Sequence, residues 1–302
     1  MADTDKLEHT LLTVRDWLRY ATSRFTQAGL VYGHGTASAL DEAAYLILHT
    51  LHLPIDQLDP WLDARLTLDE RQALEAIVAT RIATRKPAPY LTTEAWVQGH
   101  AFYVDERVIV PRSYIGELMG GGLEGMVADP DGVERVLDLC TGSGCLAILA
   151  ALRLPEAMVD ASEVSADALA VAERNVATYG LGERIELVRS DLFAGLAGRT
   201  YDLILSNPPY VSAEAVAAFP PEYAAEPVLA HAGGADGLDL VRRILAEAVK
   251  YLTADGTLVV EIGTGRDILE AEYPRLPFLW LDTAESHGEV FALAARNLKS
   301  GR

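Results

Sequence analysis

The chain has 302 residues, half of them hydrophobic and 23% charged, with a formal net charge of −19. That much apolar surface excludes a disordered or collagen-like chain, and the acidity disfavours a protein that grips phosphate backbones while suiting a basic protein partner. The longest aliphatic run, Cys145 to Leu152, falls far short of the roughly 20 residues a membrane span needs. The polar start, MADTDKLEHT, carries no signal peptide, and two cysteines, Cys140 and Cys145, are too few for a disulfide scaffold or a structural zinc. The expectation is a cytoplasmic protein with no membrane contact, no stable nucleic-acid partner and no metal.

Leu7, Leu11, Val14, Leu18 and Phe25 recur at helical spacing and predict an amphipathic helix over 6–28, stopped by Gly29. After the loop YGHGTAS, Ser38 is the expected N-cap of a second helix running through Leu51, with Pro54 beyond it. Thr67 and Glu70 have capping-box spacing and open a third helix to about Arg85, ahead of Lys86-Pro87. Together these make a small helical domain over 1–90. Residues 91–114 include WVQGHAFYVDERVIVPR, whose aromatic and β-branched runs around Gly99 and Asp105-Glu106 predict a β-hairpin linking two domains. The glycine triplet 120–122 reads as a flexible spot near the boundary. From Val133 the pattern alternates. Strand-like runs are RVLDLC, AMVDASEV, IELVRS, YDLILSN, GTLVVEIG and GEVFALAA, and helical stretches are CLAILAALR, DALAVAERNVATYG and LDLVRRILAEAVKYL. This rhythm predicts an α/β domain over 115–302 built on a parallel, doubly wound sheet.

The chemistry gathers at strand ends. VLDLC runs into Thr141-Gly142-Ser143-Gly144 and then directly into a helix. Such a turn reads either as a plain structural turn or as a ligand cradle, since glycine allows close backbone approach and a helix N-terminus offers unpaired N–H groups. Glu163 ends the next strand nineteen positions after Gly144, suitably spaced to accept from both ribose hydroxyls of a nucleoside. Asp191 follows the third strand and reads either as an acceptor for an adenine amino group or as an N-cap before Leu192. The fourth strand ends in Asn207-Pro208-Pro209-Tyr210. Two prolines fix φ and cannot donate, so their carbonyls and the Asn207 side chain are acceptors in a rigid loop beside a flat ring, a set suited to a planar N–H₂ group. Weaker signals carry two readings each. Cys140 and Cys145 are either acidified thiols or small packing residues. His49 and His52 are either a metal pair or surface and core residues, with no third ligand nearby. Glu261 either orients the site loop or is solvated, and Arg112 either pairs with acidic groups at the site or forms a structural salt bridge.

DLCTGSG, the acidic strand end and NPPY together resemble class I, Rossmann-like S-adenosylmethionine-dependent methyltransferases that act on planar nitrogens. HAFYVDERVIVPRS upstream and EPVLAHAGGADGLDLVRRIL downstream resemble the protein-(glutamine-N5) methyltransferase family. Within that family, Tyr32-Gly33-His34-Gly35-Thr36, the run APYLTTEAWVQGHAFYVDERVIVPRS and the following IGEL resemble the branch that modifies large-subunit ribosomal protein three (uL3 type). The release-factor branch has Pro-Arg-Pro-Glu-Thr-Glu where this chain has Pro111-Arg112-Ser113-Tyr114-Ile115-Gly116. The resemblance covers nearly the whole chain. It departs at Glu163, where the family more often has Asp, and at His231-Ala232-Gly233, in a variable stretch.

The resemblance implies S-adenosylmethionine as cofactor, held by Asp138, Thr141, Gly142, Gly144, Glu163, Asp191 and Asn207. Catalysis would fall to Asn207, Pro208 and Tyr210, and substrate binding to Asn207, Pro208, Pro209, Tyr210 and Arg112. The implied partner is a basic ribosomal protein. Two rivals share features. An adenine N6-methyltransferase shares NPPY but calls for a basic surface, and −14 of the net charge lies beyond residue 120. A non-enzymatic ribosome-assembly factor has no need of an intact glycine loop, acidic strand ends and NPPY.

Overall fold

Thr13 opens the first long helix. Its hydroxyl accepts the Asp16 N–H while the Asp16 carboxylate accepts the N–H groups of Thr13 and Leu12. This capping box starts α1 (Val14–Gln27). The helix expected from residue 6 is therefore broken at Leu11-Leu12, and its first residues, Leu7 among them, lie outside the described part. This computed structural model describes residues 9–123, 125–284 and 286–300. Ser38 caps α2 (Ala39–Thr50), and the Thr67–Glu70 box caps α3 (Leu68–Thr84). Arg85, left-handed at φ 56°, stops α3, and α4 (Ala88–Thr92) follows. His52 lies past the end of α2 at φ 55°, so it and His49 do not share a helix face. Among the described residues no group of three His, Cys, Asp or Glu is placed to hold a metal.

Trp17, Phe25, Leu46, Ile47 and Leu74 form the core of this helical part. The chain up to Glu94 forms one compact unit together with a distant piece, Phe219–Ala225. That piece is built in by Glu222, whose buried carboxylate accepts the Val31 N–H at 3.0 Å and pairs with Arg85 at 2.6 Å. The Tyr223 ring stacks on Phe219 and packs against His34.

The second unit comprises Ala95–Ala218 and Glu226–Arg302. This differs from the expected division at 90 and 114 in two ways: the insert 219–225 groups with the helices, and nearly all of the hairpin groups with the sheet. The hairpin is short, β1 (Glu94–Val97) and β2 (His100–Tyr103). Gln98 and Gly99, at φ 50° and 77°, make the tight turn whose twist suits two strands. Residues 104–112 are not strand. Asp105 gathers them locally by accepting from Arg107 and Tyr103. The glycine triplet, expected as a flexible spot near the boundary, forms the end and C-cap of α5 (Tyr114–Gly121).

The sheet follows from alternation. It contains β3 (Arg135–Leu139), β4 (Met158–Glu163), β5 (Ile185–Arg189), β6 (Tyr201–Ser206), β7 (Leu252–Glu261), β8 (Leu279–Leu281) and β9 (Val290–Ala294) in the order β5-β4-β3-β6-β7-β9-β8. The first five run parallel, and β9 is antiparallel to both neighbours. Val136, Leu203, Leu205 and Val259 pack on one face with α6 (Cys145–Arg153). Leu137, Ile204, Leu258 and Val260 pack on the other with α9 (Asp239–Glu247). Strands apolar on both faces belong in a sheet covered on both sides. Between β4 and β5 runs α7 (Ala166–Thr178), and α8 (Ala213–Ala217) follows β6. After β7 come α10 (Arg266–Glu272) and, at the end, α11 (Ala295–Ser300). From β3 the chain winds one way to β4, and β6 lies on the other side. The carboxyl ends of β3 and β6 therefore flank the switch point where such sheets bind ligands.

Candidate active site

At the end of β3 the backbone turns through left-handed positions at Cys140, Gly142 and Gly144 (φ 61°, 55° and 81°). Asp138, fully buried, holds this turn onto α6 by accepting the Thr141 hydroxyl and the Ala147 N–H. Burial pushes its carboxyl up to about 7. Asp138 and Thr141 thus tie the loop together and lie outside the lining of the cavity beside it. Gly144 is also outside that lining, and a methyl there would sit 3.3 Å from the Ala172 methyl on α7, so a side chain would crowd that helix. A methyl on Gly142 would meet nothing within 4 Å, because Gly142 borders the cavity. Burial raises the thiols of Cys140 and Cys145, the opposite of the acidified reading.

The cavity measures about 500 Å³ and lies wholly within the second unit. Glu163, Asp191, Asn207 and Pro209 border it together with Gly142. One Glu163 oxygen accepts the Gly142 N–H at 3.1 Å, and the other accepts the N–H groups of Val164 and Ser165. Asp191 pairs through both oxygens with Arg243 at 2.9 Å. The turn-capping work once open to Asp191 is done by Ser190, which accepts the Gly195 N–H and donates to the Leu192 carbonyl. Arg107 and Arg243 also line the cavity. Sequence reasoning passed over both: Arg243 lies 52 residues from its carboxylate, and Arg107 pairs with its near neighbour Asp105, so neither gives a local signal that it reaches a cavity.

In the NPPY segment, the Asn207 amide nitrogen donates to the Arg112 carbonyl at 3.0 Å. The side-chain oxygen is thereby fixed as the other face of the carboxamide. Pro208 is buried, and Tyr210 is half-buried with its hydroxyl donating to Glu261 at 3.0 Å. Pro208, Tyr210 and Arg112 lie outside the cavity lining. Glu261 is buried, accepts also from the Ser113 hydroxyl and the Tyr114 N–H, and is pushed up to about 7 by burial. The Arg112 guanidinium forks onto Glu226 at 2.8 and 3.0 Å.

The residues 231–237 lie directly against NPPY. Val211 donates to the His231 carbonyl, and Gly233 donates to the Val211 carbonyl. A methyl on Gly233 would stand 2.7 Å from the Pro209 carbonyl oxygen, one on Gly237 would overlap the Tyr210 carbonyl, and one on Gly263 would lie 2.8 Å from the Tyr210 ring. The cluster Gly233-Gly234-Ala235-Asp236-Gly237 was the available signal for this wall, since glycine marks close backbone approach.

A family model, Methyltransferase small domain, matches residues 124–219. Over 95% of its length the chain is 56% identical to the ribosomal protein uL3 glutamine methyltransferase of Burkholderia pseudomallei, 95% of which is covered. The protein of the same description from Neisseria gonorrhoeae is 56% identical over 95% of this chain and 96% of its own. That from Bradyrhizobium diazoefficiens is 54% identical over 95% and 92%. Among solved structures, the hMettl16 catalytic domain in complex with MAT2A 3′UTR hairpin 6 has a TM-score of 0.50 and 16% identity. It matches over 74% of this chain and 80% of that one, a likeness of fold alone.

Proposed function

The chain belongs to the family of ribosomal protein uL3 glutamine methyltransferases, and from that premise we propose which of its residues carry the reaction and how. The enzyme moves a methyl group from S-adenosylmethionine to the side-chain amide nitrogen of a glutamine in ribosomal protein uL3. The cavity suits that cofactor. Its volume lies in the range of small-molecule sites, and Glu163 and Asp191 offer carboxylates at the ends of β4 and β5. Gly142 leaves open space over the turn, and Val164, Leu192 and Leu240 give the lining apolar surface for a flat base. In this reading Glu163 accepts from the ribose hydroxyls and Asp191 lies at the adenine end. Asp138 and Thr141 act indirectly, by holding the turn.

The observation that carries the reading is the Asn207 carboxamide, which borders the cavity with its nitrogen committed to the Arg112 carbonyl. Its oxygen is then the acceptor for one N–H of the substrate amide, and the Pro208 carbonyl is the acceptor for the other. A glutamine amide is a poor nucleophile because its lone pair is delocalised into the carbonyl. Bound by both hydrogens, its nitrogen points into the cavity, and positive charge that develops there strengthens both bonds. Tyr210, locked by Glu261, covers the amide plane and excludes water. The bound cofactor supplies a methyl already activated by a sulfonium, so alignment carries most of the rate. The N-protonated product amide is a strong acid and gives up its extra proton to solvent as it leaves the site, so no strong base is needed.

The helical unit carries none of the cofactor motifs, and we assign it recognition of the protein substrate. The acidity of the chain matches a basic ribosomal protein met before it is buried in RNA, and no described helix is long and apolar enough to cross a membrane. Labelled cofactor offered with free uL3, intact ribosomes and a release factor tests this. Label is expected on the free ribosomal protein, with at least about a 100-fold loss of rate in Asn207→Ala at nearly unchanged cofactor affinity. Label mainly on the release factor, or an Asn207→Ala enzyme within a few-fold of wild type, defeats the reading.

A further inference from the structure

Which face the Asn207 carboxamide turns to the cavity depends on one backbone atom. The group is nearly symmetric in shape, and a half-turn about its last bond would present N–H₂ in place of the oxygen. The Arg112 carbonyl, 3.0 Å from Nδ2, sets the orientation. Residues 104–112 belong to neither helix nor strand, so no ladder fixes that carbonyl. What fixes it is Glu226. Its side chain is wholly buried, accepts the Val110 N–H at 2.9 Å and takes the two prongs of the Arg112 guanidinium. One carboxylate thus grips the chain on both sides of Pro111, and Arg112 closes the loop further by donating to the Val110 carbonyl. The same carboxylate lies 2.9 Å from His231 Nε2, and the carbonyl of His231 accepts the Val211 N–H next to Tyr210.

We propose that Glu226 is a positioning residue for methyl transfer: through Arg112 it sets the carbonyl that orients the Asn207 carboxamide, so that oxygen rather than nitrogen faces the glutamine amide. It touches neither substrate nor cofactor. Burial suits the role, since a fork between a buried carboxylate and arginine is rigid where an exposed pair would be mobile. The inference rests on the acceptor role of Asn207 given above.

A double-mutant cycle tests it. Glu226→Gln keeps the shape and the acceptor for Val110 but weakens the fork. It is expected to lower kcat about 10–100-fold, the scale of a misplaced reacting group. The KM for the protein substrate and the calorimetric affinity for S-adenosylmethionine should move less than about threefold. Arg112→Lys keeps the charge and loses the two-pronged geometry, and it should give the same pattern if Glu226→Gln does not fold. In an Asn207→Ala background both changes should cost little further, because the group they orient is gone. An additive cycle overturns the positioning role and leaves the amide clamp standing. A loss confined to KM also overturns it, by making Glu226 a binding residue. An Asn207→Ala enzyme with wild-type turnover overturns the clamp and the inference together.

Discussion

Gly237→Ala puts a single methyl where the NPPY backbone passes. Gly237 sits at φ 88°, and a Cβ there would overlap the Tyr210 carbonyl oxygen and stand 3.0 Å from its carbon. Two terms add. The left-handed backbone disfavours a side chain by about 1–2 kcal/mol, and relieving the overlap costs about 1–3 kcal/mol more, as overpacked sites do. The expected destabilisation is about 2–5 kcal/mol, read by denaturant unfolding. Ordinary contact between a methyl and a carbonyl oxygen requires the loop to retreat by about 1 Å, and a displacement of that size at a reacting group lowers the rate on the order of 100-fold. Glu163 and Gly142 lie on other strand ends, so calorimetric titration should find cofactor affinity within a few-fold of wild type. Gly182→Ala is the control. That glycine is exposed, is not left-handed and has nothing within 4 Å of an added methyl, so stability and turnover should stay unchanged. A Gly237→Ala enzyme that keeps both turnover and stability would show that the 231–237 wall does not set the geometry of NPPY.

Glu163→Ala removes a carboxylate that holds the Gly142 N–H and faces the cavity. It should weaken S-adenosylmethionine binding tenfold or more, from the roughly 1.5–3 kcal/mol of a charged hydrogen bond, and unchanged affinity by calorimetry would sink the ribose assignment. Glu261, pushed up to about 7 from 4.5 by burial, holds its proton more tightly folded than unfolded. Its contribution to stability is therefore greatest below about pH 4.5 and declines as pH rises through 7. Glu261→Gln should flatten that slope in part, leaving the share of Asp138, which is also pushed to about 7. The same ionisation makes Glu261 a full acceptor for Tyr210, so turnover should rise through pH 7 and lose that inflection in Glu261→Gln; an unaltered pH–rate profile would separate Glu261 from the reaction. In the helical unit, Arg85→Ala strands the buried Glu222 carboxylate and should cost about 3–5 kcal/mol on chemical denaturation. Adding Glu222→Gln should restore part of the loss, whereas purely additive losses would show the pair is not coupled.

Much of the catalytic half was legible because local pattern and fold agree there. The helix Cys145–Arg153 falls where CLAILAALR predicts it, and the strands ending at Glu163 and Ser206 deliver Glu163 and NPPY to one edge. The capping signals at Ser38 and Thr67 were equally readable, since a cap is decided within four residues. Thr13 escaped notice because apolar spacing runs across it. Leu279–Leu281, three residues at the sheet edge, is too short to show a period. The site's supports were hidden for a different reason. Arg112 meets Glu226 across 114 residues, Ser113 meets Glu261 across 148, and Arg243 meets Asp191 across 52. Nothing in a local window distinguishes such a charge from a solvated one. Asp138 shows the converse: its place in the motif suggested a ligand contact, whereas its two hydrogen bonds go to Thr141 in the turn and to Ala147 in α6.

The insert Phe219–Ala225 makes the two units inseparable as exchangeable parts. The chain passes between them at three peptide bonds, after Glu94, after Ala218 and after Ala225. A protein cut before Ala95 keeps this heptapeptide but loses His34, against which Tyr223 packs, and Val31 and Arg85, which hold the Glu222 carboxylate. A chimera that borrows the helical unit of another branch has to borrow this heptapeptide as well, though it is encoded more than a hundred residues downstream, past the NPPY segment and α8. The helical unit therefore cannot be transplanted as one contiguous cassette. The shortest graft that keeps Glu222 with its cation has two pieces, and the second begins nine residues beyond Tyr210.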